Sequence, residues 1–302
     1  MLVEVFGQDA GISRSTCSRI CQRLRAEFDT WNRRDLSGTR IDYLYLDGSF
    51  FKMHPRARAE PVLVAWGIDT DGKPVFLGLA PGAAESTDAW RALLADLIDR
   101  GLGCPLLVIS DGGKGLGAAI ECSFPASLHQ RCLVHVCRNL IAKVPTHAQD
   151  QVKRDYWAVF DQVQAEGEAA VAEARRRAAR FIAKWKPLYP SAVACVADHL
   201  DALVAHLLFP AEHHKRIRHS NLIERTFGET RRRTKVIGRL PGEQSCLSLV
   251  WAVLDRASKG WRGLTMTPKA LRRMQDLRRE LLGQPRPSAP EEVITQTNTA
   301  AA

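Results

Sequence analysis

The sequence predicts an α/β protein, with helices on the faces of a mixed sheet, an all-helical insertion and a small helix-turn-helix element in front. Three observations predict it: strand and helix patterns alternate after residue 41, residues 141–215 carry helical patterns only, and the first forty residues are helical. We therefore divide the chain into a helix-turn-helix element (1–40), the first part of the core (41–140), the insertion (141–215), the last part of the core (216–283) and a disordered tail (284–302).

The helix-turn-helix element begins with a short apolar helix over residues 2–6 and a glycine-containing turn. Ser13 is placed to cap a longer helix whose apolar side chains recur at helical spacing as far as Phe28. Arg14, Ser15 and Arg19 lie on the opposite face, where such side chains can reach phosphates and base edges in a major groove. The alternative is an ordinary amphipathic helix with a solvated basic face.

Five strands are predicted in the core. The first is IDYLYLDGSFF, and the next two, PVLVAWGID and KPVFLGLAP, are joined by the hairpin turn Asp69–Gly72. Ser86 caps a helix with Trp90, Leu93, Leu94, Leu97 and Ile98 on its apolar face. The apolar run CPLLVIS has the pattern of a central buried strand, and a helix and a strand near residues 129–132 follow it.

The first and fourth strands each end in an aspartate followed by glycine, at Asp47 and Asp111. A carboxylate at the end of a buried strand is held rigidly toward a cleft, and carboxylates of this kind clamp divalent metals in phosphodiester chemistry. The alternative for each residue is turn chemistry, because Asp-Gly is a common turn pair.

A third carboxylate, Glu224, lies in the strongly basic segment HHKRIRHSNLIERTFGETRRRTKVIGRLP. Asn221 and Glu224 also fit a capping box, in which the glutamate only satisfies a backbone N–H, and Glu229 is a fallback candidate. A helix this basic is suited to nucleic-acid backbone. We predict DNA contacts by the following basic residues of the segment: Arg225, Arg231, Arg232, Arg233 and Lys235.

Lys52, Arg56 and Arg58, just after the first strand, are further candidates for phosphate contacts, with a solvated basic loop as the alternative. The net charge of +10 favours a polyanionic partner, although basic residues also serve solubility alone. No apolar run approaches a membrane span and no signal peptide is visible, so the sequence predicts a cytoplasmic protein without a membrane partner. The eight cysteines are predicted to be free thiols.

Six stretches, in this order, resemble the Mutator-type transposases of bacterial insertion sequences: GISRSTCSRIC, YLYLDGSFFK, WGIDTDGKPVFLGL, LVISDGGKGL, HQRCLVHVCRNL and SNLIERTFGETRRRTKVIG. The resemblance implies an RNase H-like fold with a helical insertion before the catalytic glutamate. It also implies a DDE triad of Asp47, Asp111 and Glu224 that binds two Mg²⁺ or Mn²⁺ ions. The family has a substantial region before the helix-turn-helix, which this chain is expected to lack.

The activity implied by the resemblance is cleavage at the ends of an insertion element and transfer of the 3′-OH into target DNA. Its DNA partners are the terminal inverted repeats and the target, and pairing two ends suggests a homo-oligomer. The family's Cys-x-x-His motif is Cys132 and His135 here, placed near the active site or serving only as a buried thiol and a core histidine. Two other functions stay open, an RNase H-like nuclease that cuts without joining and an inactive DNA-binding repressor.

Overall fold

The computed structural model describes residues 13–54, 56–82, 84, 86–163, 165–234, 237 and 240–283, with Lys114 and residues 221–225 described by their backbone only. The strands are β1 (Ile41–Phe51), β2 (Glu60–Asp69), β3 (Pro74–Pro81), β4 (Leu107–Ser110) and β5 (Leu128–Arg131). The helices are α1 (Arg14–Asn32), α2 (Thr87–Asp99), α3 (Lys114–Ser123), α4 (Leu133–Ile141), α5 (Thr146–Phe160), α6 (Glu168–Trp185), α7 (Pro190–Ala197), α8 (Leu200–Val204), α9 (His214–Ile217), α10 (Asn221–Thr234), α11 (Glu243–Ser258) and α12 (Pro268–Leu282), with one 3₁₀ helix (Ala205–Leu208).

The five strands form one mixed sheet in the order β3-β2-β1-β4-β5. β1 pairs antiparallel with β2 and parallel with β4, and β5 continues the parallel side. β1 is the central strand, and its first seven residues are all buried. This sheet with helices packed against it confirms the predicted α/β class and is consistent with an RNase H-like fold.

The prediction that β1 ends at Asp47 is wrong. The strand continues to Phe51, because β2 is long enough to pair with it as far as Glu60. β4 ends at Ser110, one residue before the predicted end at Asp111. The β2–β3 turn is also as predicted, and Gly72 adopts the positive φ of 81° that such a turn requires.

Two helices tested against the sequence pattern largely agree with it. Ser86 caps α2, and the predicted apolar face of α2 is buried except for Ile98, which is 39% exposed. Ser13 caps α1 as predicted, with its hydroxyl accepting the N–H of Thr16 at 3.1 Å. The C-terminal half of α1 is anchored to the core, since Phe28 packs against Trp251 of α11. The first helix of the predicted helix-turn-helix lies outside the described residues, so that motif stays a prediction.

Each face of the sheet carries its own apolar core. On one face, Tyr43, Tyr45 and Phe51 of β1 pack with side chains of α10, α11 and α12. On the other face, Leu44 and Leu46 pack with the apolar side chains of α2 and α3. The alternation along β1 therefore puts Asp47 on the same face as Tyr45 and α10.

Between residues 141 and 215, every regular element in the described part of the chain is a helix. These helices share a third core with α4, which is centred on the fully buried Tyr156. Its hydroxyl donates to the carbonyl of Leu133 at 2.8 Å and so ties the helical core to the start of α4. The all-helical character was predicted, whereas its standing as an insertion remains a prediction.

The tail from residue 284 onward, predicted to be disordered, lies outside the described residues. In the described ranges no single helix has the length and apolarity to cross a membrane. One bent pair, Pro190–Ala197 with Leu200–Leu208, meets that test by length and composition alone.

Candidate active site

Asp47 and Asp111 lie near each other where β4 ends beside β1, in the middle of the sheet. The parallel register pairs Tyr45 with Ile109. Asp47 stands two residues further along β1, and Asp111 stands two residues further along the chain, just past the end of β4. Neighbouring strands are about 4.8 Å apart, so the backbones of the two residues lie close together, and Asp47 shares the face of Tyr45. Asp47 is 8% exposed and Asp111 is half-buried. The sheet order brings the two residues near each other, and their shared role stays a prediction.

Asp111 begins a tight turn that hydrogen bonds hold in place. Its Oδ1 accepts the N–H of Gly113 at 3.0 Å, and Gly112 has a φ of 81°. The hydroxyl of Ser110 accepts the N–H of Gly112 at 3.2 Å and pairs with Nε2 of His129 at 2.7 Å. Burial and the neighbouring charge of Arg131 lower the pKa of His129 to about 4, so the ring is neutral at neutral pH.

Arg131, the last residue of β5, lies against this turn. It is paired in register with Ser110, and a Cβ added to Gly112 would be only 1.9 Å from its Nε. Burial lowers the pKa of Arg131, while the charge of Asp111 opposes that shift. Glycine is therefore required at position 112 on two counts, its positive φ and the close approach of the guanidinium.

Helix α10 crosses the same edge of the sheet. At its start, the backbone N–H of Ser220 donates to the thiol of Cys132 at 3.4 Å, and Leu133 N–H donates to the Arg218 carbonyl at 2.9 Å. Farther along, Phe227 packs on Phe51 with ring centroids 6.5 Å apart. The helix thus runs from the end of β5 to the end of β1, and the strand that carries Asp111 lies between them.

Glu224 stands four residues after Ser220 and three before Phe227 in this helix. At a rise of about 1.5 Å per residue, its backbone lies about 6 Å along the axis from one anchor and about 4.5 Å from the other. Its position is therefore on the stretch of α10 that spans the two aspartates. The side chains of Glu224 and Arg225 lie outside the described part of the structure, so both the triad and the capping box stay predictions.

Cys132 and His135 occupy the junction between β5 and α4. Cys132 is fully buried and directly precedes α4, and its backbone N–H donates to the carbonyl of Ser110 at 2.7 Å. Burial raises the pKa of the Cys132 thiol, but hydrogen bonds from His135 and from the N–H of Ser220 outweigh it and leave the pKa below its usual value. Cys132 is thus hydrogen-bonded both to Ser110, which precedes Asp111, and to Ser220, which precedes α10.

This link makes Cys132→Ala a test of how α10 is held. The change strands the buried N–H of Ser220, and we expect a loss of about 1–3 kcal/mol in the free energy of unfolding, measured in urea. Cys132→Ser keeps an acceptor and should recover part of the loss. Cys246→Ala removes another fully buried thiol, for which the structure describes no hydrogen bond, and gives the packing contribution alone. Equal losses for the two alanine variants would contradict the link.

The predicted DNA-contacting residues fall into three groups. Arg14, Ser15 and Arg19 are exposed on the first turns of α1, and Lys52, Arg56 and Arg58 are exposed between β1 and β2. On α10, Arg231 donates to Ser49 of β1 at 2.8 Å, whereas Arg232 and Arg233 form ion pairs with Glu229. Glu229 is therefore engaged on its own helix, which weakens it as the fallback carboxylate. Lys235 lies outside the described residues.

Ser110, His129 and Arg131 adjoin the site but were not singled out from the sequence. The only available signal was their location, since Ser110 precedes the second aspartate and the other two end the next parallel strand. Carboxyl ends of neighbouring parallel strands meet at one edge, so the residues that end β5 could have been examined with Asp111.

The chemistry of the donors fits a divalent cation. Asp47 and Asp111 offer carboxylate oxygens from adjacent strands, and Mg²⁺ is commonly held by one or two carboxylates together with water and phosphate oxygens. No group of three or more His, Cys, Asp and Glu side chains suited to a metal occurs within the described part of the chain. A third protein ligand would come from Glu224, whose backbone position on α10 is compatible with that role.

Comparison with known proteins gives a consistent result. Residues 1–263 match the family described as "Transposase, Mutator family". The transposase for insertion sequence element IS6120 of Mycolicibacterium smegmatis is 33% identical over 264 residues, covering 87% of this chain and 80% of the relative. That for ISRM5 of Rhizobium meliloti (strain 1021) is 32% identical over 82% of this chain and 61% of the relative. That for IST2 of Acidithiobacillus ferrooxidans is 31% identical over 88% and 89%. The chain belongs to the Mutator family of transposases.

Proposed function

We propose that this chain is the DNA transposase of an insertion sequence, which cuts phosphodiester bonds at the element ends and joins the freed 3′-OH to target DNA. The main support is the placement of Asp47 and Asp111 on adjacent strands beneath the helix that carries Glu224. Family membership supports the same activity, because the relatives named above are insertion-sequence transposases.

The proposed reaction consists of two phosphoryl transfers. In the first, the oxygen of water attacks phosphorus at the element end, and the P–O3′ bond breaks to release the element's 3′-OH. In the second, that 3′-OH attacks a target phosphorus and displaces the target's own 3′ oxygen. The second step breaks one phosphodiester bond for each one that it forms. Joining therefore needs no energy from a nucleoside triphosphate.

The protein's own residues would bind the cations and fix the positions of the carboxylates. The protein would hold two divalent cations, Mg²⁺ or Mn²⁺, through Asp47, Asp111 and Glu224. Such cations would lower the pKa of the attacking water or hydroxyl and stabilise the leaving oxygen. Asp47 is rigid because it lies within β1, and the turn at Asp111 is fixed by Ser110 and Gly113. Glu224 would be brought to them by α10.

DNA would be held by the exposed basic residues of α1, of the β1–β2 connection and of α10. The segment after the strand that bears Asp47 contains Lys52, Arg56 and Arg58. These residues would bind the DNA backbone close to the reacting phosphate. Joining both element ends requires two active sites, and we therefore propose a homo-oligomer on DNA. Light scattering of the protein–DNA complex would contradict this if it gave one chain for a pair of ends.

Supplying a pre-cleaved element end together with target DNA and Mg²⁺ separates this activity from its alternatives. A transposase should give joined products that migrate as larger molecules on a denaturing gel. Cutting of the target without joining would favour the RNase H-like nuclease. DNA binding with neither product, under conditions in which an active relative joins DNA, would favour the repressor. Omitting Mg²⁺ is the control, because both reactions should then stop.

A further inference from the structure

We propose that Arg131 is a phosphate-binding residue, which holds a backbone phosphate of the DNA beside Asp111. Nothing in the sequence pattern or the comparisons assigns it a role. The inference rests on the proposed function, since it supposes that DNA occupies the carboxyl edge of the sheet. It concerns one contact at that edge and can fail while the proposed function stands.

The first support is that Arg131 is a half-buried cation whose Nε has no acceptor among the described residues. Its Nε is buried and donates to no acceptor, and no carboxylate in the part of the chain that the structure describes forms an ion pair with its guanidinium. An arginine retains its charge in proteins, so burial without an acceptor is unfavourable. The unfavourable placement is relieved when a ligand brings an anion to the guanidinium.

Other partly buried arginines of this chain show the contrast. Arg34 donates to the carbonyls of Trp31 and Phe76, Arg218 pairs with Asp161 at 2.7 Å, and Arg278 pairs with Asp42 at 2.5 Å. Each of them contacts an acceptor within the protein. Arg131 differs from them, although a carboxylate, that of Asp111, lies near enough to influence its pKa.

The second support is the position of Arg131 along the edge of the sheet. β4 and β5 are neighbours, and Arg131 is paired with Ser110, so Arg131 ends its strand beside the turn that begins at Asp111. A guanidinium beside a carboxylate that would hold a cation is suited to a phosphodiester, whose oxygens bind to metal ions and to arginine alike. The close contact with the backbone of Gly112 keeps the guanidinium beside the turn at Asp111.

The test is the salt dependence of DNA binding by Arg131→Ala and Arg131→Gln. Each phosphate contact contributes about one unit to the slope of log affinity against log salt concentration. Using a duplex that carries the element end, with no divalent cation present, we expect either variant to lower the slope by about one and Arg131→Lys to retain it. Because no cutting is needed, a chain that binds DNA without cleaving it still answers the question.

Arg34→Ala is the matched control, because it removes a partly buried arginine far from the carboxyl edge. We expect it to leave the salt slope unchanged and to lower the thermal midpoint, since its guanidinium satisfies two carbonyls. Arg131→Ala should hold or raise the midpoint, because it removes an unpaired buried charge. A wild-type slope for both neutral Arg131 variants would overturn the proposal. So would a fall in midpoint for Arg131→Ala as large as that for Arg34→Ala, because it would make Arg131 structural.

Discussion

Asp47→Asn and Asp111→Asn are each expected to slow DNA cleavage and strand transfer by about a thousandfold while DNA binding persists. An amide of the same shape removes one negative charge from the pair that would hold the cation, and the stabilisation at stake is several kcal/mol. A loss of about 4 kcal/mol corresponds to about a thousandfold in rate. Asp47 lies in β1 and Asp111 directly follows the neighbouring strand β4, and we expect the two variants to be affected alike.

The measurement is a single-turnover assay of cleavage and of joining, with DNA binding measured in parallel. Asp71→Asn is the control, because it makes the same chemical change at the exposed β2–β3 turn, and it should retain normal activity. Glu224→Gln tests the third member in the same assay. Normal activity in any of the variants at Asp47, Asp111 or Glu224 would remove that residue from the triad.

Arg278→Met is expected to have the largest effect on stability, a loss of about 3–5 kcal/mol in the free energy of unfolding. Arg278 forms two hydrogen bonds with Asp42, from Nε at 3.1 Å and from Nη2 at 2.5 Å, and the Asp42 side chain is only 2% exposed. Removing the guanidinium leaves a buried carboxylate without its countercharge. This ion pair joins the start of β1 to α12, the last helix of the described core.

The loss should depend on pH in a defined direction. Burial raises the pKa of Asp42 above its ordinary value, and Arg278 opposes that rise. A carboxyl whose pKa is raised in the folded state favours folding most below its unfolded pKa, and this contribution is lost as pH rises through the folded value. Without Arg278 the folded pKa rises further. The gap between Arg278→Met and wild type should therefore be smaller near about pH 5 than near about pH 8.

Urea unfolding at the two pH values measures this gap. Arg279→Met is the control, because Arg279 pairs with Asp276 on the same helix where both side chains are partly exposed, and such pairs contribute about 0–1 kcal/mol. Adding Asp42→Leu to Arg278→Met should recover much of the loss, since it removes the stranded charge. A loss for Arg278→Met no greater than that of Arg279→Met would contradict this account of the pair.

Local sequence patterns were sufficient to predict the elements that have a strong short-range signal. The β2–β3 hairpin, the capped helix α2 and the buried strand β4 were predicted because turn residues, caps and apolar runs are short-range signals. The same signals led to the wrong end for β1. An Asp-Gly pair usually ends a strand, but here pairing with β2 continues past Asp47 to Phe51. That pairing is a tertiary effect, which no local pattern reports.

The sequence marked the two aspartates of the candidate site but not the residues around them. Asp47 and Asp111 were marked by position along their own strands. Arg131, in contrast, became a candidate only through the strand order, which puts β5 next to β4. The buried partner of Asp42 lies more than two hundred residues away on α12, and pairing over such a separation leaves no trace in the local sequence.

The contacts around Cys132 have a consequence for how the gene can change. The chain leaves the sheet at Leu133, and a hydrogen bond of 2.9 Å joins Leu133 to Arg218. The helices from Thr146 to Ala197 pack in the separate helical core, and the chain is back in the sheet core at Ala205, Phe209 and Ile217. Lengthening such an excursion costs little, because closure entropy rises only slowly with length. We therefore expect insertions and deletions between α5 and α7 to leave Asp47 and Asp111 in place on the sheet.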